Sequence, residues 1–446
     1  MNSQILKRAV CVFALLLATG CSSYGVIKNK PVSNVPDSQE YSIKAYAGSA
    51  GSQDISMMLS FSGGGTRAAA MAYGVMLELR DTMVVVNGEN RRLLDEVDSI
   101  SSVSGGSFTS AYYGLHGDGM FDTFEDVFLR KNVEKKLINS ALNPFHWFGR
   151  KGRTERTIEY YQKQIFHGAT FADMKKPGRP LIVINASDLA YGVRFSFIQE
   201  YFDLLCSDLA TFPVADAVTA SSAVPIVFNP VVVENLSGCS DEPFERIRQI
   251  RQLAPRQDAE LDMLVGGLES YADKDRRKYI HFVDGGITDN MGLRAVYDVI
   301  TLSGGAQTFM SRVGREVPEK LILITIDAST SPDYDMDSTN KQPSIAKSIG
   351  SVSGVQLHRY NTDTLAMVAG SFDKWGAQLS TPEKTVSPYF IEVSFDGIKQ
   401  PEVRAFFNKV PTSFSLTDEQ VDKLIEAGRE LLRDHPVYQQ LLADLK

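Results

Sequence analysis

Short apolar runs alternate with stretches of helix-forming residues along most of this chain. Two stretches that lie between such runs, residues 66–80 and 108–115, have the composition of helices. Strands separated by helices predict an α/β domain with a largely parallel central sheet. The runs whose apolar, β-branched and aromatic content predicts strands are residues 55–61, 97–103, 181–185, 194–198, 279–283, 321–326 and 389–395.

The N-terminal residues follow a different pattern from the rest of the chain. Lys7 and Arg8 precede an apolar stretch at residues 9–18, which is too short to span a bilayer and is typical of a signal peptide. The residues after it, 21–52, are rich in Ser, Lys, Pro and Gly. We therefore expect residues 1–20 to be removed and residues 21–52 to form a tether in front of the folded domain.

The main domain is predicted to cover residues 53–400. A highly charged stretch at 235–278 interrupts its strand–helix pattern and contains a helical segment at 244–253, so we predict an insertion. This insertion is either a lid over the site or a solvated surface excursion. Residues 401–446 form a C-terminal extension with a predicted helix over 418–433.

Composition excludes several classes of protein. Of the 446 residues, 43% are hydrophobic and 22% are charged, which is ordinary for a globular chain that can bury a sizeable core. The formal net charge of -8 does not fit a nucleic-acid-binding protein, which carries a basic surface. No apolar run reaches the length of a spanning helix, so none is predicted.

The sequence Leu-Ala-Thr-Gly in front of Cys21 resembles the bacterial lipobox. This resemblance implies that Cys21 carries the lipid and becomes the mature N-terminus; a plain secretory signal cleaved nearby is the alternative. By similarity to bacterial sorting signals, Ser22 after the cysteine favours the outer membrane. We expect a protein of the bacterial cell envelope that is anchored to the membrane through its N-terminal lipid.

Two other cysteines, Cys206 and Cys239, lie in the main domain. An exported protein with two such cysteines is expected to join them in a disulfide. Two free buried thiols are the alternative, because the sequence alone does not place the two Cα atoms within bonding distance.

A glycine triplet follows the first predicted strand and opens a helix. Residues 60–67 read Ser-Phe-Ser-Gly-Gly-Gly-Thr-Arg, so the backbone N–H groups of Gly63, Gly64 and Gly65 can face an anion. The anion can be a phosphate or the oxyanion of an acyl-transfer reaction. The phosphate interpretation lacks the sequence features of a phosphate loop. A plain tight turn is the other alternative.

A serine occupies the turn between the next predicted strand and helix. Residues 102–107 read Ser-Val-Ser-Gly-Gly-Ser, with small residues two positions before and after Ser104. This arrangement matches a nucleophile elbow, where Gly105 and Gly106 relieve crowding and leave the hydroxyl exposed. The alternative is a polar loop that caps the helix.

An acidic residue ends a later apolar strand. Residues 281–290 read His-Phe-Val-Asp-Gly-Gly-Ile-Thr-Asp-Asn, so Asp284 is followed directly by Gly285 and Gly286. An acid at this place is held rigidly at the edge of the sheet. The alternative is an aspartate that only forms a turn.

The three motifs in this order resemble the patatin-like phospholipase family. The resemblance covers about residues 56–290, and the chain departs from the family at Ala68 and Ser102, where glycine is usual. It implies a three-layer α/β sandwich with a mostly parallel central sheet and a serine on a nucleophile elbow. Further segments that look like the family are residues 170–174, 185–188 and 216–230.

The resemblance also implies a role for each motif. Ser104 attacks an ester carbonyl, Asp284 takes the proton without an intervening histidine, and the glycines at 63–65 bind the oxyanion while Arg67 steadies their loop. An acyl-enzyme forms, and water then releases the fatty acid. Because an ordinary aspartate is a weak base, the pKa of Asp284 must be raised by burial.

The resemblance implies a lipid acyl hydrolase of the phospholipase A or lysophospholipase type, acting on phospholipid or lysophospholipid. An acyltransferase that uses the same acyl-enzyme and a non-catalytic outer-membrane lipoprotein are the alternatives. A rival mechanism is a triad of Ser104, Asp284 and His358. His281 lies on the strand of Asp284 and could touch the site. No metal motif is present and no cofactor is implied.

Overall fold

The seven predicted strands are all present in the computed structural model of the chain. Three of them have the predicted bounds, and the other four differ from their predicted ends by at most three residues. Four further strands were not predicted, because each has only two to four residues. The strands are β1 (Val26–Ile27), β2 (Ile55–Phe61), β3 (Met83–Val86), β4 (Glu89–Arg92), β5 (Val97–Val103), β6 (Leu181–Asp188), β7 (Val193–Phe197), β8 (Val231–Glu234), β9 (Tyr279–Val283), β10 (Lys320–Asp327) and β11 (Ser387–Ser394).

The predicted signal peptide, Cys21 and parts of the predicted tether lie outside the described residues. In its described parts the tether interpretation is wrong, because β1 pairs with β8 and both Tyr41 and Tyr46 are buried in the main core. These residues belong to the folded domain. Within the described part of the chain, no helix is both long and apolar enough to cross a membrane. The structure describes residues 25–32, 40–47, 51–133, 152–225, 227–253, 259–331, 337 and 339–446.

The large sheet is mixed but mostly parallel. Its order is β1-β8-β9-β6-β5-β2-β10-β11, and β7 pairs with β6 outside this row. Strands β6, β5, β2, β10 and β11 run parallel to one another, and β1 runs parallel to β8. Strands β7 and β9 run antiparallel to β6. The predicted α/β fold with a largely parallel sheet is therefore confirmed.

The predicted helices are also present. The two early helices extend their predicted ranges by a few residues, and the helix at Asp418–Arg433 has the predicted bounds and begins at a capping box of Thr417 and Gln420. The helices are α1 (Ile43–Tyr46), α2 (Thr66–Asp81), α3 (Gly105–His116), α4 (Met120–Phe124), α5 (Arg153–Gln164), α6 (Phe171–Met174), α7 (Gln199–Phe202), α8 (Val214–Ser221), α9 (Glu242–Leu253), α10 (Ala259–Glu269), α11 (Gly286–Asp289), α12 (Leu293–Leu302), α13 (Ala306–Val313), α14 (Ile345–Leu379), α15 (Pro401–Asn408), α16 (Asp418–Arg433) and α17 (Pro436–Asp444).

Both faces of the sheet are covered, which gives three layers. Successive side chains of a strand point to opposite faces. On β10, Ile322 and Ile324 belong to the apolar core that contains α2 and α3, whereas Leu321 and Leu323 pack in a second core with Phe372 of α14. The sheet is thus buried between two helical layers, as expected for a parallel sheet.

The charged insertion at residues 235–278 contains α9 and α10. Leu264, Val265 and Leu268 of α10 are buried in the main core. The interpretation as a purely solvated excursion is therefore wrong for α10, and the role as a lid stays a prediction. A disulfide joins Cys206 and Cys239 at the start of this insertion, with an S–S distance of 2.03 Å and a Cα–Cα distance of 5.3 Å.

The C-terminal extension packs tightly on the main domain. Helix α16 crosses α2 where both carry a glycine. A methyl group on Gly74 would overlap the carbonyl of Ile425, and one on Gly428 would overlap the carbonyl of Met71. Because glycine has no Cβ, the two helix backbones come into direct contact at this crossing.

The register of β6 explains how two distant parts of the chain meet. Val103 at the end of β5 pairs with Asn185, and Val283 at the end of β9 pairs with Ser187. Strand β7 occupies the other edge of β6 at these positions, so β5 and β9 lie on the same side of β6 and approach each other end to end. The residues that follow these two strands, Ser104 and Asp284, therefore converge.

Candidate active site

Ser104 lies in a sharp turn between β5 and α3. Its backbone has φ 49° and ψ −117°, a positive φ that side chains other than glycine rarely adopt. A residue in such a turn presents its side chain at the end of the sheet, as in a nucleophile elbow. The strand, the turn and the helix that the sequence predicts around Ser104 are all present.

The two glycines after Ser104 are required by close backbone contacts. A methyl group on Gly105 would overlap the carbonyl oxygen of Gly65, which is backbone and cannot move aside easily. A methyl group on Gly106 would lie 2.6 Å from the Cβ atom of Phe61. The turn at Ser104 therefore packs against the glycine loop only because positions 105 and 106 have no side chain.

Polar partners hold the backbone of the turn. The N–H of Ser104 donates a hydrogen bond to the hydroxyl oxygen of Ser221 at 2.8 Å, and that hydroxyl donates to the carbonyl oxygen of Asn185 at 2.6 Å. The side-chain amide of Asn185 donates to the hydroxyl of Ser101 and to the carbonyl of Ser102 on β5. All of these groups are buried, so each bond satisfies polar atoms that water does not reach.

Asp284 follows β9 and is largely buried. Its Oδ1 atom accepts a hydrogen bond from the N–H of Gly286 at 2.8 Å, and its own N–H donates to the carbonyl of Ala223 at 3.0 Å. A methyl group on Gly285 would overlap the carbonyl of Asn185, so glycine is required there as well. The Asp284 carboxyl is thus fixed by its own turn and by the segment after α8.

Burial raises the pKa of Asp284 to about 6, while the Gly286 N–H and the Ser104 hydroxyl, both as hydrogen-bond donors, act to lower it. The serine hydroxyl is therefore close enough to the carboxyl to act on its charge. An aspartate with a pKa near neutral is a better proton acceptor than an ordinary aspartate. The pair can support proton removal from Ser104 during nucleophilic attack.

The glycine loop lies next to Ser104. The N–H of Gly63 donates to the carbonyl of Asn290 at 2.8 Å, so it is not available to an oxyanion while this bond is intact. The N–H groups of Gly64 and Gly65 have no backbone acceptor within the described residues. Both residues have positive φ angles, 140° and 61°. The donor set expected from the sequence is therefore revised from three glycines to Gly64 and Gly65.

Arg67 anchors the start of α2 beneath this loop. The buried guanidinium donates to the carbonyls of Ala328 and Val410 at 2.8 and 2.5 Å, and to the hydroxyl of Thr412 at 3.1 Å. Burial lowers its pKa to about 10, which the nearby charge of Asp327 opposes. Arg67 thus ties the glycine loop to two distant segments of the chain, as a residue that steadies the loop would do.

The sequence did not indicate that the C-terminal extension reaches the glycine loop. The carbonyl of Ser413 accepts the N–H of Thr66 at 2.9 Å, and a methyl group on Gly65 would lie 2.5 Å from the same oxygen. The segment of the extension between α15 and α16 therefore forms one wall of the loop that could bind an oxyanion.

Three further residues of the site were missed, Ser221, Asn185 and Asn290. All three belong to segments that resemble the family, and each is a polar residue within or next to an element of the sheet or its helices. That pattern is their only signal in the sequence. Their partners are backbone groups from distant motifs, which the sequence does not reveal.

The two histidines considered for the site are placed differently. His281 is half-buried on β9; burial lowers its pKa, and the charges that act on it are those of Asp188 and Arg277. His358 is exposed on α14. Within the described ranges, no group of three or more His, Cys, Asp or Glu side chains is placed to hold a metal ion.

An apolar cavity lies between the sheet and helices α12 and α13. It encloses about 840 Å³ of empty space when its open mouth is included, and Met58, Val183, Val296 and Phe309 are among its walls. Neither Ser104 nor Asp284 lines it. We therefore assign it no part in chemistry at the turn of Ser104.

Comparison of the chain with models of protein families gives a match to the patatin-like phospholipase family over residues 59–297. This range is more than half of the chain and contains the glycine loop, Ser104 and Asp284. None of the curated proteins compared with the chain matches it.

Several solved structures are distantly similar. Human GIVD cytosolic phospholipase A2 matches with a TM-score of 0.42 and 12% identity, over 88% of this chain and 62% of that chain. The same enzyme in complex with methyl gamma-linolenyl fluorophosphonate matches with a TM-score of 0.39 and 13% identity, over 88% of this chain and 59% of that chain. VipD from Legionella pneumophila matches with a TM-score of 0.32 and 11% identity, over 96% of this chain and 73% of that chain. The chain spans about three fifths of the length of the human enzyme, and we draw no conclusion from similarities this distant.

Proposed function

Because the chain belongs to the patatin-like phospholipase family, we propose that it hydrolyses carboxylic esters of phospholipids or lysophospholipids through a dyad of Ser104 and Asp284. Membership of the family supports lipid hydrolase activity. One observation carries the finer assignment. The serine of a strained strand-to-helix turn and a buried aspartate with a raised pKa meet where β5 and β9 converge.

The reaction begins with attack of the Ser104 hydroxyl oxygen on the ester carbonyl carbon. The hydroxyl proton passes to the Asp284 carboxylate, and the negative charge on the carbonyl oxygen is stabilised by the N–H groups of Gly64 and Gly65. Removal of one such donor typically costs about 3 to 4 kcal/mol of transition-state stabilisation. The intermediate then expels the alcohol portion of the lipid, which takes the proton from Asp284, and leaves an acyl group on Ser104.

The second half of the reaction repeats these roles with water. Asp284 accepts a proton from a water molecule, whose oxygen attacks the acyl carbon. Collapse of the second intermediate releases the fatty acid and returns the proton to Ser104. The same acyl-enzyme would support an acyltransferase if another alcohol replaced water.

Fatty acid release from phospholipid vesicles tests this proposal. We expect release by the wild-type protein, loss of release in Ser104→Ala and Asp284→Asn, and unchanged release in His358→Ala. Unchanged release in either dyad variant would remove the assignment, and loss in the histidine variant would favour the triad. Transfer of the acyl chain to an added lysophospholipid, without free acid, would indicate the acyltransferase. If the protein reacts with no ester, the non-catalytic lipoprotein is the remaining alternative.

The location of the protein is a second proposal, which rests on the sequence alone. Residues 1–20 are removed as a signal peptide, Cys21 is lipid-modified, and the protein is held at the outer membrane of the bacterial cell envelope. Mass spectrometry of the N-terminal peptide tests the modification, with Cys21→Ser as the control. Fractionation of the membranes tests the location, and recovery of the mature protein in a soluble fraction would contradict it.

A further inference from the structure

The first described residue lies near the candidate dyad. Strand β1 pairs with β8, Val26 opposite Val232, and β8 pairs with β9, Val231 opposite Phe282. Neighbouring strands are about 4.8 Å apart and residues rise about 3.3 Å along a strand, so Gly25 lies roughly 12 Å from Asp284. The chain thus enters the sheet at the end where the last residues of β9 lie.

Side-chain contacts support this placement. The N–H of Gly25 donates to Oε1 of Glu155 at 2.7 Å. From the same helix, α5, the hydroxyl of Thr154 donates to the carbonyl of Asn229 at 2.9 Å. Just before Asn229, the N–H of Phe228 donates to the carbonyl of Val224 at 3.0 Å and closes a turn. This turn begins directly after Ala223, whose carbonyl accepts the N–H of Asp284 at 3.0 Å. Helix α5 and this turn therefore link the entry of the chain to the candidate dyad.

Three large apolar side chains on both sides of Asp284 are exposed. Val224 and Val227 in the turn are 39% and 52% exposed, and Ile287 in α11 is 51% exposed. The N–H of Ile287 donates to the carbonyl of Asp284, which places this residue directly beside the acid. We call these three side chains the apolar rim. Apolar side chains grouped next to a site are typical of a surface that binds an apolar partner.

The length of the tether limits where a lipid on Cys21 can lie. Three residues lie between Cys21 and Gly25, so four chain steps join them and span at most about 14 Å when extended. Cys21 therefore lies within roughly 26 Å of Asp284, whereas a domain of this length is roughly 50 to 60 Å across. A lipid on Cys21 therefore cannot reach the opposite end of the domain, and it stays in the half of the domain that carries the rim.

We propose that the apolar rim rests on the membrane leaflet that holds the acyl chains of Cys21, so that the enzyme takes its substrate from the membrane to which it is anchored. The occupant of the rim is thus a lipid surface. This inference rests on the proposed function for the reaction and on the proposed lipidation for the anchor. The short connection from Cys21 to Gly25 and the rim act together, because both hold the mouth of the site toward the same leaflet.

The first test uses the full-length lipidated protein in vesicles of phosphatidylethanolamine and phosphatidylglycerol. The double variant Val227→Asn/Ile287→Asn, which adds no charge beside Asp284, is compared with Met83→Asn, an exposed apolar residue beyond the far end of α2. We expect the rim variant to hydrolyse vesicle lipid about tenfold more slowly, because the rim no longer transfers apolar surface from water. Hydrolysis of a soluble short-chain nitrophenyl ester should stay unchanged in both variants. Equal loss on both substrates, or no loss on vesicles, would overturn the role of the rim.

The second test asks which membrane is used. Labelled phospholipid is placed either in the vesicles that carry the enzyme or in separate vesicles. We expect hydrolysis mainly within the carrying vesicles, and a long Gly/Ser insertion after residue 23 should increase hydrolysis of the separate ones. Equal hydrolysis of both populations by the unmodified protein would overturn the proposal.

The two proposals fail in different ways. If the wild-type protein hydrolyses neither substrate, the proposed function is wrong, and sedimentation of vesicles with Cys21→Ser protein tests the rim separately. Binding that falls when Val227→Asn and Ile287→Asn are added supports the rim, and binding that is unchanged excludes it.

Discussion

The backbone N–H of Ser104 lies 2.8 Å from the hydroxyl oxygen of Ser221, a residue 117 positions later in the chain. The carbonyl of Ser221 accepts the N–H of Gly285 at 3.0 Å, next to Asp284. One buried residue at the end of α8 therefore holds the turn of the candidate nucleophile and the turn of the candidate base. The distance between the two side chains depends on this residue.

Replacement of Ser221 by alanine should slow the reaction more than it weakens substrate binding. The variant leaves the N–H of Ser104 buried without a partner, which costs about 1 to 3 kcal/mol, and it loosens the turn. We expect kcat to fall about tenfold or more with little change in KM, because a misplaced nucleophile loses its alignment. The control is Ser222→Ala, a neighbouring buried serine whose hydroxyl donates to the carbonyl of Val218 in the preceding helical turn. Equal effects in the two variants would contradict the positioning role, and Ser221→Thr should restore part of the rate.

A methyl group at Gly105 should disrupt both stability and activity. It would overlap the backbone carbonyl of Gly65, so the turn and the glycine loop must move apart. We expect a lower midpoint of thermal unfolding, by the equivalent of about 1 to 3 kcal/mol, and loss of ester hydrolysis. Gly370→Ala in α14 has open space around it and should instead raise stability by about 0.5 to 1 kcal/mol. A Gly105→Ala protein with normal unfolding and activity would show that the overlap is relieved cheaply.

Much of the fold follows from local pattern, whereas the contacts within the site do not. The strands β2, β5 and β9 are predicted with their bounds, because each is a short run of strand-forming residues with turn-forming residues beyond it. The position of Ser104 at a strand end is local as well. The bond from Gly63 to Asn290 and the contact of Ser413 with the glycine loop join segments far apart in the chain, so no local pattern encodes them. Helix α14 was missed for a related reason, since its long amphipathic pattern is weak and only part of it enters the core.

Arg67 should not be replaceable by lysine. Its three hydrogen bonds leave a planar guanidinium in different directions, and a single ammonium cannot reach all three acceptors. We expect Arg67→Lys to lose about 2 to 3 kcal/mol of stability in urea unfolding, because buried carbonyls lose their donors. Arg80→Lys, at the exposed end of the same helix, should change stability by less than about 0.5 kcal/mol. A loss no larger than that of the Arg80 variant would contradict the anchoring role of Arg67.

The rate of ester hydrolysis should depend on pH through Asp284. Its pKa is raised to about 6 by burial, so the carboxylate that accepts the proton is present above that pH and lost below it. We expect kcat/KM for a soluble ester to fall tenfold for each unit of pH below about 6 and to reach a plateau above it. Burial also raises the pKa of Asp216, to about 7, and this acid lies outside the dyad. Asp216→Asn should therefore show the same fall of kcat/KM at low pH as the wild type. If that fall disappears in this variant, the titrating group is Asp216.

The raised pKa of Asp284 also predicts a stability effect of opposite sign to the activity effect. A carboxyl whose pKa is higher in the folded state than in the unfolded state stabilises the fold fully below the unfolded pKa, and this contribution is lost as the pH rises through the folded pKa. For Asp284 that window runs from pH 3.8 to about pH 6.

At pH 8 the protein holds a buried charge that Asp284→Asn removes, so the inactive variant should be the more stable protein by up to about 3 kcal/mol. At pH 4 both side chains are neutral and the two midpoints of thermal unfolding should nearly coincide. The Ser104→Ala variant controls for loss of activity: it keeps the carboxyl and loses the hydroxyl that lowers the pKa of Asp284, so at pH 8 it should be no more stable than the wild type. An Asp284→Asn protein that is less stable than the wild type at pH 8 would mean that the Gly286 hydrogen bond outweighs the burial of charge.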